Sequence, residues 1–152
     1  MDRWKRLFLV FMIFTTFDDF STFLFASSIN DEAWFSITHY FMLLTNSVFY
    51  GLIIHWLCLA VVWAAFLLKM VPYLVRKVET EDQNYFEILV VCLLGLCPSS
   101  LFVGATTWYF KYYKIQDLYI RIYIGYAMYM LSLFWVKPCG LNLGKDSQDK
   151  KS

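Results

Sequence analysis

Asp18 and Asp19 are adjacent carboxylates in the middle of an apolar stretch that runs from Leu7 to Ala26. On a helical wheel Thr15, Asp18, Asp19 and Thr22 share one face. A stretch of that length covers the ~20 residues a helix needs to cross a bilayer. An ionised carboxylate at such depth is costly, so it faces a partner or a wet cavity. Carboxylates and hydroxyls on one face offer three kinds of chemistry. They could bind a cationic side chain and lock a bundle, hold a proton on one Asp, or line a polar track for ions or lipid headgroups.

A cation is available for the first of these. Arg121, Gly125, Met128 and Ser132 line up on a later apolar stretch, opposite Tyr119, Tyr123 and Tyr126. Counted from the outer ends at 1.5 Å per residue, Asp18 lies roughly 12 Å deep and Arg121 roughly 6 Å. A carboxylate–guanidinium pair between the first and last spans is the expectation. The small residues beside Arg121 would let a neighbouring helix approach closely.

Other singular residues are weaker signals. Gly95-Leu96-Cys97-Pro98-Ser99-Ser100 interrupts an apolar helix, with Gly95 and Pro98 predicting a kink, or alternatively a hinge or substrate-facing gap. His55 lies in an apolar run with only His39 for company, so it reads as a satisfied core histidine, not as a metal ligand or half of a catalytic dyad. Cys139 follows Pro138 just beyond the last span, where juxtamembrane thiols become palmitoylated. There is no Gly-rich phosphate loop, nucleophile elbow or HExxH motif. The expectation is a non-enzymatic protein without metal or cofactor.

The elements that must position these residues follow from composition. Of 152 residues 60% are hydrophobic and 21% aromatic. Only 16% are charged, against the roughly 25% of soluble domains. With a mean hydropathy of +0.53 the chain has too little polar surface for a soluble globule. A net charge of +1 excludes a general nucleic-acid binder. The scattered Cys58, Cys92, Cys97 and Cys139 form neither a disulfide framework nor a zinc pattern. The fold class is therefore all-α, a polytopic membrane helix bundle of about four transmembrane helices over residues 1–140. A polar tail, 141–152, should be disordered and cytoplasmic.

The candidate spans are Leu7–Ala26, Val48–Met70, Phe86–Phe110 and Leu118–Val136. Arg3, Lys5, Arg6, Lys69, Arg76, Lys77, Lys137, Lys145, Lys150 and Lys151 then fall on one side, and only Lys111 and Lys114 on the other. This bias places both termini in the cytoplasm, in the plasma membrane or the endoplasmic reticulum. A cleaved signal peptide is disfavoured, because the polar Thr15–Asp19 segment separates the apolar run from Ala26-Ser27-Ser28. The segment Ala33–Val75 is ambiguous: 43 mostly apolar residues would measure roughly 64 Å as one helix. Either Trp34–Leu44 is an interfacial helix, broken at Thr45-Asn46-Ser47 before a span from Val48, or the span begins at Trp34. A fifth span would put Arg76 and Lys77 outside, against the charge bias.

Asp18-Asp19, Trp34-Phe35-Ser36-Ile37-Thr38, Phe41, Leu44 and Trp56 form a spaced set. From Phe17 to Trp56 the chain resembles the start of the XK-related family, membrane proteins associated with phospholipid scrambling. Cys92-Leu93-Leu94-Gly95 is a fainter echo, and nothing after Lys114 matches. The resemblance implies a span beginning at Trp34, and membrane lipids as partners. The leading functional expectation is a scramblase-like protein, or an accessory to lipid transport, acting through Thr15, Asp18, Asp19 and Thr22. The alternatives are a structural or assembly subunit docking a partner helix or a second copy, and a small channel or ion-coupled carrier.

Overall fold

The computed structural model describes residues 2–31, 36–78, 82–113 and 118–137. Cys139 and the tail 141–152 lie outside them, as do Trp34 and Phe35. The described residues are helical with no strand, and four helical stretches are long and apolar enough to cross a membrane. They are Arg3–Phe25, Val48–Lys77, Gln83–Trp108 and Leu118–Val136. The chain is a multi-pass membrane bundle by this measure, with no fifth span among the described residues.

The first stretch is α1 (Arg3–Phe25). A three-residue turn, Ile29–Asp31, follows it, and the Asp31 carboxylate accepts from the Ser27 and Ser28 amides at 2.8 Å each. The short helix α2 (Ile37–Thr45) comes next, capped by Ser36, whose hydroxyl accepts from the His39 amide at 2.9 Å. The helix stops at Asn46, which adopts the left-handed conformation at φ 49°. Asn tolerates that region better than most residues. Ser47 then caps α3 (Val48–Ala65). The hairpin closes tightly, because a Cβ on Gly51 would lie 2.6 Å from the Met42 Cα. The chain thus takes the broken arrangement for Ala33–Val75, and the uninterrupted span from Trp34 implied by the family resemblance is corrected. Three consecutive polar residues supply a hydroxyl back-bond, a left-handed turn and a cap.

Beyond α3 the helix continues through a wide π turn, Phe66–Met70, into α4 (Val71–Lys77). Pro72 has no N–H for the carbonyl four residues back, and widened turns commonly absorb such a defect. Arg76 and Lys77 occupy the last turn of α4, where the helix dipole favours cations. α5 (Gln83–Leu94) and α6 (Leu96–Tyr113) form the third stretch, with the break at Gly95. The last is α7 (Leu118–Val136).

α1 is the central helix: half of its most apolar window is buried, against 22–28% for the other three. It packs against α3, α6 and α7, whereas α3 leans on α1 and α2. Leu7, Val10, Phe11 and Phe14 of α1 meet Leu67, Val71, Val91, Tyr129 and Leu133 in one core. Burying apolar surface adds little when lipid is the alternative solvent, so close packing and interhelical hydrogen bonds must hold the bundle. Both are present. Gly125 admits Phe102, and Gly95 admits the rings of Tyr129 and Tyr126. Their hydroxyls donate to the Val91 and Cys92 carbonyls at 2.6 and 3.1 Å. At one end Arg6 donates to the Trp135 carbonyl at 2.8 Å, joining the start of α1 to the end of α7.

Candidate functional site

Thr15, Asp19, Ser21 and Thr22 of α1 are turned inward, while Thr16 is exposed. Thr15, Asp19 and Thr22 are 0%, 8% and 4% exposed, so this face is the inside of the bundle and not a wall open to lipid. The Thr15 hydroxyl donates to the Phe11 carbonyl at 3.0 Å, the usual way a helical Thr satisfies itself. Thr22 accepts from the Trp108 indole N–H of α6 at 3.1 Å. Asp18 lies against Gly104 of α6, where a Cβ would come within 2.5 Å of its Oδ1.

Asp19 finds its partner on α3. Its Oδ1 is 2.7 Å from Nδ1 of His55 on α3, and both side chains are buried. The expectation joined Arg121 to Asp18 or Asp19, and of these two Asp19 is taken by His55. Arg121 donates to the Thr107 hydroxyl at 2.8 Å and reaches the Val103 carbonyl at 3.5 Å. The reason is register: α1 runs antiparallel to α3, with Phe23 beside Phe49 and Phe11 beside Trp63, which brings His55 level with Asp19. Arg121 addresses the turn of α6 that carries Val103 and Thr107, next to Gly104 and hence to Asp18. The buried face of α7 is Gly125, Tyr129, Leu133 and Val136. Met128 is exposed, and Tyr126, expected on the opposite side, turns its hydroxyl into the bundle.

Gly95 and Pro98 sit at the break between α5 and α6. The Ser99 hydroxyl and amide both donate to the Gly95 carbonyl, at 2.6 and 3.1 Å, so the irregular backbone there is satisfied within the chain. The tyrosine hydroxyls of α7 occupy the Val91 and Cys92 carbonyls one turn earlier.

Two residues that sequence reasoning passed over carry weight. His55 reads from the sequence as a satisfied core histidine, and only the α1–α3 register reveals Asp19 as the group that satisfies it. Glu87, 1% exposed near the start of α5, pairs with Arg3 at 3.2 Å. A Glu one residue inside the third candidate span was the available signal.

The Asp19–His55 pair lies beside an open cleft. Phe41 of α2 is close to the His55 ring, with ring centroids 6.3 Å apart. A lateral cleft of about 340 Å³ opens between α1 and α3, walled by Thr16, Asp19, Phe20 and Phe23 and by Phe49, Leu52, Ile53 and Trp56. The Thr16 hydroxyl donates to the Met12 carbonyl at 2.8 Å and accepts from the Trp56 indole at 2.9 Å. Asp19 Oδ2 is buried and has no hydrogen-bond partner among the described residues. A second hollow of about 390 Å³, lined by Leu9, Met12, Ile13, Thr16, Phe17 and Phe20, adjoins the cleft along α1. Among the described residues no cluster of His, Cys, Asp and Glu could hold a metal ion. The arrangement can seat an apolar body between α1 and α3. Comparison with protein-family models, curated proteins and solved structures gives no match for this chain.

Proposed function

We propose that this protein is a non-enzymatic lipid-handling membrane protein that holds a lipid in the cleft between α1 and α3. The observation that carries this reading is a cleft lined almost wholly by aromatic and aliphatic side chains, open sideways between two spans. In hydrocarbon an open apolar cleft is filled by lipid chains, which are as apolar as its lining. The inward turn of Thr15, Asp19 and Thr22 does not favour a headgroup track along that face. Holding a lipid is accordingly preferred over conducting one, and the scrambling implied by the XK-related resemblance becomes the stronger form of the same proposal. Arg3, Lys5, Arg6, Arg76, Lys77 and Lys137 gather at one end of the bundle, which supports a cytoplasmic location for that end.

The test is reconstitution into liposomes with diazirine-bearing phospholipid, followed by mapping of photoproducts and by a leaflet-exchange assay. Products on Phe20, Phe49 or Ile53, lost in Ile53→Trp, support the cleft. Labelling no denser there than on the exposed face of α7 would refute it. Flux above empty liposomes would add scrambling to holding.

A second reading, an assembly subunit, rests on a different observation. α1 is the most enclosed span, yet Leu9, Ile13, Phe17, Phe20 and Leu24 leave one stripe of it uncovered. A partner helix seated there would complete the enclosure. Crosslinks from Ile13→Cys to a second protein would support that reading over the first.

A further inference from the structure

Depth in the bundle can be read from the antiparallel register of α1 and α3. Phe23 lies beside Phe49, Asp19 meets His55, and Phe11 lies beside Trp63. Phe25, the last residue of α1, is therefore level with the start of α3 at Val48. From the turn at Asn46, α2 runs back down α3: Met42 packs on Gly51, and the Phe41 ring lies 6.3 Å from that of His55. His39 is six residues before the end of α2, roughly 9 Å back along it from the turn. Its Nδ1 is 3.0 Å from the Ile29 carbonyl. The Ile29–Asp31 turn thus hangs beneath the end of α1, near the level of Asp19 and His55.

Two sets of exposed residues then ask for opposite solvents. At the tip, Leu24 is 53% exposed, Leu43 55% and Leu44 63%, and such side chains belong in hydrocarbon. Deeper down, Ser28, Asn30 and Asp31 are exposed too. Irregular backbone at membrane depth is tolerated only where protein buries it or where it lines water. The Asp31 carboxylate, which accepts from the Ser27 and Ser28 amides, would be costly in lipid. We infer that the leaflet at this end is notched beside α2, so that lipid headgroups with their water descend to Ile29–Asp31 while acyl chains still cover the tip. Local thinning of a bilayer costs little per ångström, and immersing a carboxylate costs far more. This headgroup-binding surface goes beyond the proposed lipid-holding role and does not rest on it. α2 packs on Gly51 and lies near His55, whereas the α1–α3 cleft uses Phe49, Ile53 and Trp56.

The experiment places spin labels on Ser28→Cys, Asn30→Cys, Leu24→Cys and Leu44→Cys, one at a time, in otherwise cysteine-free full-length protein in phosphatidylcholine liposomes. All four side chains are exposed, so a label there displaces no packed neighbour. Collisions with a water-soluble nickel chelate should be several-fold more frequent at Ser28 and Asn30 than at Leu24 and Leu44. Collisions with oxygen should follow the opposite order. Phosphatidylcholine with a diazirine on its headgroup should mark Ser28–Asp31 in the parent protein, and the same lipid with a chain-borne diazirine should mark Leu24 and Leu44. High nickel exposure at all four sites would place the tip in water and overturn the notch. Oxygen-dominated collisions at all four would place the turn in hydrocarbon and overturn it as well. Nickel access at Asn30 without headgroup labelling would overturn the binding of headgroups. Failure of the cleft reading would show elsewhere, as missing photoproducts on Phe49 and Ile53, which none of these four labels reports.

Discussion

At the scale of single residues the bundle depends on one buried pair. Asp19 and His55 each remove the penalty of the other, and a buried group left without its partner typically costs about 3–5 kcal/mol. His55→Leu should therefore lower stability by about 3 kcal/mol, read as a fall in thermal midpoint in mild detergent. Adding Asp19→Leu should return a large part of that loss. Simple additivity of the two changes would show that the pair contributes no coupling. Lone hydrogen bonds between membrane helices are smaller, averaging about 0.6 kcal/mol. Trp108→Phe, which deletes the donor to Thr22, should accordingly cost less than His55→Leu by a clear margin. Much of this site was legible: the carboxylates, the threonines of their face and the isolated histidine all stand out in an apolar chain. What did not follow was who meets whom. That His55 meets Asp19 is decided by helix register and neighbour order, and neither is encoded in the local pattern around Asp19.

At the scale of elements, two glycines set how closely the helices approach, and they differ in what they face. A Cβ on Gly51 would strike Met42 backbone at 2.6 Å, and backbone in a tight hairpin cannot swing aside. A Cβ on Gly95 would strike the Tyr129 ring at 2.5 Å and the Tyr126 ring at 2.7 Å. Those rings can shift, though their hydroxyls must then leave the Val91 and Cys92 carbonyls. Overpacking costs about 1–3 kcal/mol, so both alanine variants should be destabilised, Gly51→Ala more than Gly95→Ala. Thermal midpoints in the same detergent decide the order, and the reverse order would mean that the hairpin is the softer contact. The four spans were readable because length and hydropathy are properties of each segment alone. The α2–α3 hairpin was readable only as one of two options. Thr45, Asn46 and Ser47 are each compatible with a helix, and their turn chemistry prevails through Gly51 and the packing of Met42.

At the scale of the molecule, the four spans alternate in direction, so the start of α1, the end of α4, the start of α5 and the end of α7 share one side. The Arg6–Trp135 and Arg3–Glu87 contacts tie that side together. Impermeant thiol labelling of cysteine-free protein in intact cells should modify Ser28→Cys and leave Asp82→Cys protected until the membrane is opened. Labelling of Asp82→Cys from outside would invert the proposed orientation, and labelling of both would break the four-span order.

The central position of α1 bears on how the protein is made. It leaves the ribosome before the groups that satisfy it: His55 lies 36 residues after Asp19, and Trp108 lies 86 after Thr22. For the time needed to synthesise the first of those stretches, α1 holds Asp19 without His55. It must wait at the insertion machinery, or beside a membrane chaperone, until α3 comes alongside. Nascent chains stalled before His55 should crosslink through Asp19→Cys to that machinery. Chains stalled after α3 has emerged should crosslink within themselves, so the rate of synthesis between these points sets how long the protein is exposed to quality control.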